Sequence, residues 1–376
     1  MLKLIKKLML KELNSKSTFY SQELAREKGL PDPSSARGRL LIACLSSGLE
    51  IAQRTVNRYM ELLKKAFSSE EIVFIKDIDR RFADGEVSIR IPQPVNGCDV
   101  FLFQSLFKPY ASVSIDENYL AFLAAVRAFR EHGARHITGI LPYLAYSRQD
   151  KPTAFQREPV TARLFADFSQ AAGLDRLIVW APHCGQLRGF YGKLPVDFLD
   201  PLHLFVAEYK EFSGRQDVIV VAPDVGASKL VTYFGRVLRL NTAIASKYRP
   251  NPEEVVISEI IGDFRQKRVA IILDDMISKG ETIFSLVKKL VEEKGIKEVC
   301  VGVAHNLCLK PALNLIFELH EYYNLKELVT TNSISQSEEF TGLPFIRICC
   351  LSDMLARVIN RIHFSLSISE LFLNSG

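Results

Sequence analysis

Residues 267–290, KRVAIILDDMISKGETIFSLVKKL, constrain the fold more than any other stretch. Val269 to Leu273 is an unbroken apolar run rich in β-branched side chains, the pattern of a strand buried on both faces. Asp274 and Asp275 stand at its carboxyl end, and a short loop runs through Gly280. From Thr282 the apolar residues Ile283, Leu286, Val287 and Leu290 recur at helical spacing. The N–H groups of such a loop and of the first helical turn face an anion, with the helix dipole behind them. Two carboxylates at the strand end accept hydrogen bonds from sugar hydroxyls or hold a divalent metal. Together they suit a phosphorylated sugar, although the same letters alone also describe an ordinary turn with two solvated aspartates.

The same grammar recurs along the chain. Strands are expected over residues 40–45, 72–75, 87–91, 99–104, 136–141, 177–181, 218–222 and 242–245, and near 298–303 and 327–331. Helices are expected over 46–65, 118–132, 160–172, 229–238 and 351–362. Strand then helix with short connections predicts an α/β fold with mainly parallel sheets. Polar residues gather just after the strands, where parallel sheets bind ligands. Phe101, Phe103 and Phe107 alternate as core residues of a strand.

The 376 residues, 48% of them hydrophobic, are enough for two cores. A net charge of +5 is too small to argue for nucleic-acid binding, though it suits anionic substrates. The seven cysteines are scattered, with no CxxC pair, so neither a zinc site nor a disulfide scaffold is expected, and a reducing, cytoplasmic setting is the simpler reading. No apolar run approaches the roughly 18 to 20 residues needed to span a bilayer. Residues 1–38 differ from the rest: a basic amphipathic segment, then the breaker-rich GLPDPSSARG, with no role that the letters settle.

Several motifs, in order, resemble the ribose-phosphate pyrophosphokinases (phosphoribosyl pyrophosphate synthetases). These are RFADGE (81–86), LPYLAYSRQDK (141–151), REPVTA (157–162), PHCGQLRGFY (182–191), APDVGASK (222–229), SKYRP (246–250) and DDMISKGET (274–282). The resemblance runs from about Leu40 to the C-terminus. It implies two phosphoribosyltransferase-like domains related by pseudo-two-fold symmetry, over 39–203 and 204–345, with a tail, 346–376, returning to the first. It also implies transfer of the β,γ-diphosphoryl group of ATP to the 1-hydroxyl of ribose 5-phosphate, releasing AMP, with Mg2+ as cofactor. Positioning and charge stabilisation then carry the catalysis.

Residue by residue, the resemblance gives Asp274 and Asp275 to the ribose hydroxyls. Ser278, Lys279, Gly280 and Thr282 fall to the 5-phosphate, and His183 and Asp224 to the metal. Lys247 and Arg249 match a mobile catalytic loop, and Arg148 and Gln149 match ATP contacts. Phe82, Asp84 and Glu86 would receive adenine from a neighbouring subunit, which implies a homo-oligomer, a hexamer built from dimers. Taken singly, His183 reads as a turn histidine and Lys247 and Arg249 as surface charges. His305, at a strand end, has no assigned role.

The chain departs from the family pattern at several points. Ala181 stands where the family has an aspartate, Pro152 replaces a lysine, and the loop carries Ser278, Lys279 and Glu281 in place of Asp, Thr and Gly. Glu281 sets a negative charge near the expected phosphate. Between Gln104 and Asn118 the chain is about five residues longer, so the family's phosphate activation and ADP inhibition do not carry over. These changes leave open a non-catalytic subunit that assembles with an active synthetase, and, less well supported, a phosphoribosyltransferase.

Overall fold

The apolar runs assemble into two sheets. The computed structural model describes residues 19–29, 37–66, 68, 70–109, 111–248 and 256–371. It opens with helix α1 (Gln22–Glu27), then β1 (Leu40–Cys44), α2 (Leu49–Lys65), β2 (Val73–Ile75) and a hairpin of β3 (Asp79–Arg81) and β4 (Val87–Ile89). Next come β5 (Asp99–Phe103), α3 (Ile115–Glu131), β6 (His136–Leu141), α4 (Thr161–Ala172), β7 (Arg176–Trp180) and β8 (Val196–Leu199). A short α5 (Leu202–Glu208) leads to β9 (Val218–Ala222), α6 (Ser228–Leu238), β10 (Asn241–Tyr248), β11 (Val256–Ile261), β12 (Val269–Ile277) and α7 (Glu281–Glu292). The chain continues through β13 (Glu298–Asn306), α8 (Lys310–Tyr322), β14 (Leu325–Thr331), α9 (Glu338–Thr341), β15 (Ile346–Cys349) and α10 (Ser352–His363).

The first sheet has the order β2-β1-β5-β6-β7-β8 and is parallel throughout. The second has the order β11-β10-β9-β12-β13-β14-β15, with only the β10–β11 pair antiparallel. This is the mainly parallel α/β architecture that the strand-then-helix pattern predicts. The central strands are covered on both faces, which is why β5 buries all five of its residues, Phe101 and Phe103 among them. Phe107 lies past the end of β5 and packs half-buried against the core.

Several boundaries differ from the sequence reading, each for a local reason. Helix α3 starts at Ile115 because Ser114 and Glu117 form a reciprocal capping box. The hairpin β3–β4 stands apart from both sheets, with Phe82 to Glu86 at its tip. Strand β12 does not stop before the acidic pair but runs on to Ile277, because β13 keeps pairing with it as far as Asn306.

The end of the chain closes on its beginning. Strand β15 stays in the second sheet, while α10 crosses to the first and packs beside α2, burying Leu355, Ile359 and Ile362 against Tyr59 and its neighbours. Burial of that kind stabilises by about 1.5–3 kcal/mol per side chain. At the head of β5, Asp99 is fully buried between Arg37, bound through two hydrogen bonds of 2.9 Å, and His363 Nδ1 at 2.8 Å. Part of the N-terminal segment joins this seam. The Asn360 side chain accepts from Tyr20 N–H at 2.9 Å and donates to Tyr20 C=O at 2.8 Å, and Phe19 sits edge-on to Tyr59.

Candidate active site

The second sheet reverses its strand order around β9, with β10 on one side and β12 on the other. A crevice at such a switch point is where open parallel sheets bind ligands. Strand β9 pairs with β12 only as far as Ile272 and then turns away at Pro223, so Asp274 and Asp275 project along an edge that β9 no longer covers. Asp224 occupies the turn that leaves β9, its Oδ1 accepting the Ala227 N–H at 3.1 Å.

Lys247 reaches this turn from the other side. A register shift in β10 falls between Ser246 and Lys247, and such a bulge re-aims a side chain. The Lys247 ammonium forms a direct ion pair with Asp224 Oδ2. Burial alone would raise Asp224, but the Lys247 hydrogen bond and charge, with the Ala227 and Gly226 amides, hold it below the usual carboxylate range. Asp274 shifts the other way: burial first, then the charges of Asp275 and Asp224, push it well above that range. Three acidic side chains thus share one crevice, and the like charges of Asp275 and Asp224 are what push Asp274 up along with its burial.

From the first sheet, the turn after β7 brings in His183. Its Nδ1 lies 2.5 Å from Asp275 Oδ2, and that hydrogen bond raises the imidazole above its ordinary pKa against the pull of burial. Beside it, the Cys184 thiol (3.2 Å) and the Gln186 amide (2.5 Å) both donate to Asp150 Oδ2. Burial and Asp150 push the thiol up to about 11, so it stays a protonated donor. Asp150 thereby ties the His183 turn to the segment carrying Arg148 and Gln149, whose side chains are exposed.

Just past the same carboxyl end of β12, Gly280 has φ +90° and caps α7, a backbone that favours glycine. A Cβ there would lie 3.3 Å from Ala312 Cα in α8, so the loop is pressed against that helix. Ser278 and Thr282 are half-buried, Lys279 is exposed, and Glu281 is the first residue of α7 rather than a loop residue. Phe82, Asp84 and Glu86 form a separate group on the hairpin. Phe82 is 60% exposed, and Asp84 accepts the Glu86 N–H at 3.1 Å.

The structure therefore brings together His183, Asp224, Lys247, Asp274 and Asp275, with the 278–282 loop beyond them. Arg249 lies outside the described residues. Sequence reasoning missed Asp150 and Gln186 as organisers of this turn; the only signal was their position inside two of the motifs. Among the described residues no cluster of three or more His, Cys, Asp or Glu side chains is arranged to hold a metal alone. The donor set is carboxylate-rich, and Mg2+ binds through as few as one or two carboxylates with water and other oxygen ligands completing its shell, so these residues fit it.

Comparison with known proteins shows the family. Residues 49–173 match the N-terminal domain of ribose phosphate pyrophosphokinase, and residues 249–373 match the phosphoribosyl synthetase-associated domain. The ribose-phosphate pyrophosphokinase of Fusobacterium nucleatum is 35% identical over 317 residues, 84% of this chain and 96% of that protein. The chain belongs to the ribose-phosphate pyrophosphokinase family of enzymes. The Bacillus subtilis ribose-phosphate pyrophosphokinase is 34% identical over 85% of this chain and 96% of its own length. The crystal structure of phosphoribosylpyrophosphate synthetase from Mycobacterium smegmatis superposes with a TM-score of 0.73 at 27% identity, covering 86% of this chain and 98% of that one. The mainly parallel α/β fold of the two sheets is therefore the fold of this family.

Proposed function

We propose that this enzyme transfers the β,γ-diphosphoryl group of ATP to the 1-hydroxyl of ribose 5-phosphate, giving phosphoribosyl pyrophosphate and AMP. The observation that carries the reading is the Lys247–Asp224 ion pair beside the Asp274–Asp275 carboxylates, at the switch point of the second sheet. Asp274 and Asp275 accept hydrogen bonds from the ribose hydroxyls. Ser278, Lys279, Gly280 and Thr282 hold the 5-phosphate through loop N–H groups, a hydroxyl and an ammonium. Arg148 and Gln149 bind ATP from the first sheet. Phe82, Asp84 and Glu86 receive the adenine of a neighbouring protomer, in a homo-oligomer that we expect to be a hexamer of dimers.

Lys247 and Arg249 neutralise charge on the migrating group, and in phosphoryl-transfer chemistry such charge stabilisation supplies most of the rate enhancement. Asp224 and His183 would hold Mg2+, which supplies further charge neutralisation on the reacting phosphates. Scattered free cysteines suit a cytoplasmic setting. Among the described residues no helix is long and apolar enough to cross a membrane.

Incubation with ATP, ribose 5-phosphate and Mg2+ tests the reading: AMP and phosphoribosyl pyrophosphate should form in equal amounts. No sugar-dependent AMP under any phosphate or metal condition would overturn it. Glu281, set in the first turn of α7, favours a second reading, a weak or inactive subunit that assembles with an active synthetase. Co-purification with such a synthetase, together with inactivity alone, would select it.

A further inference from the structure

His305 is buried to 2% exposure at the end of β13, and the reaction as proposed leaves it unused. Its Nε2 lies 3.0 Å from the carbonyl oxygen of Ala181, on the other sheet's side of the crevice, and its Nδ1 lies 2.8 Å from Ser333 Oγ, just past β14. The Tyr143 ring packs edge-on against it at 5.1 Å. A carbonyl oxygen only accepts, so Nε2 carries the hydrogen. In a neutral ring Nδ1 must then accept, and the Ser333 hydroxyl can donate to it because its other acceptor, Ala304 C=O at 3.2 Å, already receives the Thr331 hydroxyl at 2.7 Å. Burial lowers the imidazole's pKa, in keeping with a neutral ring.

The carbonyl it holds belongs to an unusual residue. Ala181 has φ +42°, in the left-handed region that a Cβ disfavours, and it precedes a proline. Its N–H donates to Leu199 C=O at 2.9 Å, so β8 holds one side of the peptide and His305 the other. The turn fixed in this way delivers His183 to Asp275. The next residue of β12, Met276, is the register partner of His305 itself. A closed circuit therefore runs from His305 to Ala181, His183 and Asp275 and back through Met276.

We propose that His305 is a positioning residue, whose Nε2–H tautomer, fixed by Ser333, holds the strained Ala181–Pro182 turn so that His183 meets Asp275 across the two sheets. Its catalytic consequence rests on the reading above, in which His183 and Asp275 serve diphosphoryl transfer.

Variants of the full chain test it. His305→Leu should lower kcat by about a hundredfold while changing the KM for ATP less than about threefold, because a misplaced turn affects alignment more than nucleotide binding. His305→Gln, whose amide can donate to the same carbonyl, should recover to within about fivefold of wild type. Ser333→Ala should lose about tenfold and add nothing further on top of His305→Leu. Nitrogen-15 NMR of labelled histidine should show one Nε2–H tautomer in the wild type and a mixture in Ser333→Ala. Folded His305→Leu with wild-type kcat, or Gln no better than Leu, overturns the proposal. If His305→Leu fails to fold, Ser333→Ala decides: full kcat with an unchanged tautomer overturns it. The tautomer, and the His183–Asp275 separation in a crystal of His305→Gln, need no turnover. An inactive wild type would therefore defeat the reaction reading, while a His305 not protonated at Nε2 would defeat this one.

Discussion

His183 Nδ1 stands 2.5 Å from Asp275 Oδ2, although the two side chains come from different sheets and lie 92 positions apart in sequence. With the Lys247–Asp224 ion pair, it leaves two of the crevice's acidic side chains, Asp224 and Asp275, already partnered within the protein. In the proposed reaction, substrate phosphates would exchange partners with both.

Lys247→Ala should reduce turnover by about a thousandfold while leaving ATP affinity within roughly threefold, because in the proposed reaction the ammonium would act on charge that grows in the transition state. Single-turnover kinetics with an equilibrium ATP-binding measurement separate the two effects. Unchanged turnover would remove Lys247 from the reaction.

Gly280→Ala should destabilise the protein by about 2 kcal/mol, since φ +90° strains an alanine. The new methyl would also press on Ala312 Cα at 3.3 Å. Thermal unfolding reads the first effect. A raised KM for ribose 5-phosphate reads the displaced loop.

Glu281→Gly should lower the KM for ribose 5-phosphate by up to about tenfold at low ionic strength, because it removes a carboxylate from the turn proposed to hold the phosphate. The gain should shrink as salt is added. A gain independent of salt would point to loop geometry instead of charge.

Asp99 sets a pH dependence. Burial would raise its carboxyl, but His363 and Arg37 override that and hold it below the usual carboxylate range. A depressed folded value means the stabilisation is present above the unfolded pKa of about 3.9 and is lost as pH falls through the folded value. Denaturant unfolding should therefore show stability falling below about pH 4. Asp99→Asn should flatten that fall and cost about 3 kcal/mol near neutrality, because it breaks a buried charge pair. An unaltered acid limb in the variant would exclude Asp99 as its source.

The parallel core was legible because Val218–Ala222, Val269–Leu273 and their like are continuous apolar runs that only a doubly covered strand can use. The short or polar edge strands β8, β11 and β15 were not, since VDFL or IRIC carries no period strong enough to read. Asp274 and Asp275 read as loop residues because acidic side chains disfavour strands; pairing with β13 overrides that preference and cannot be seen locally. The roles of His305 and Asp150 were hidden for a simpler reason. The partners of His305 lie 124 and 28 positions away, and those of Asp150 34 and 36, beyond any local pattern.

Helix α10 carries a consequence for synthesis in the cell. Leu351, Leu355, Val358, Ile359 and Ile362 complete the apolar layer over Ile42, Phe101, Phe103 and Trp180. A chain leaving the ribosome therefore makes its first lobe early but finishes that lobe's covering last, so a greasy surface stands open through most of translation. Nascent chains stalled anywhere before residue 363 should be favoured clients of holding chaperones, and release from them should coincide with arrival of the final helix.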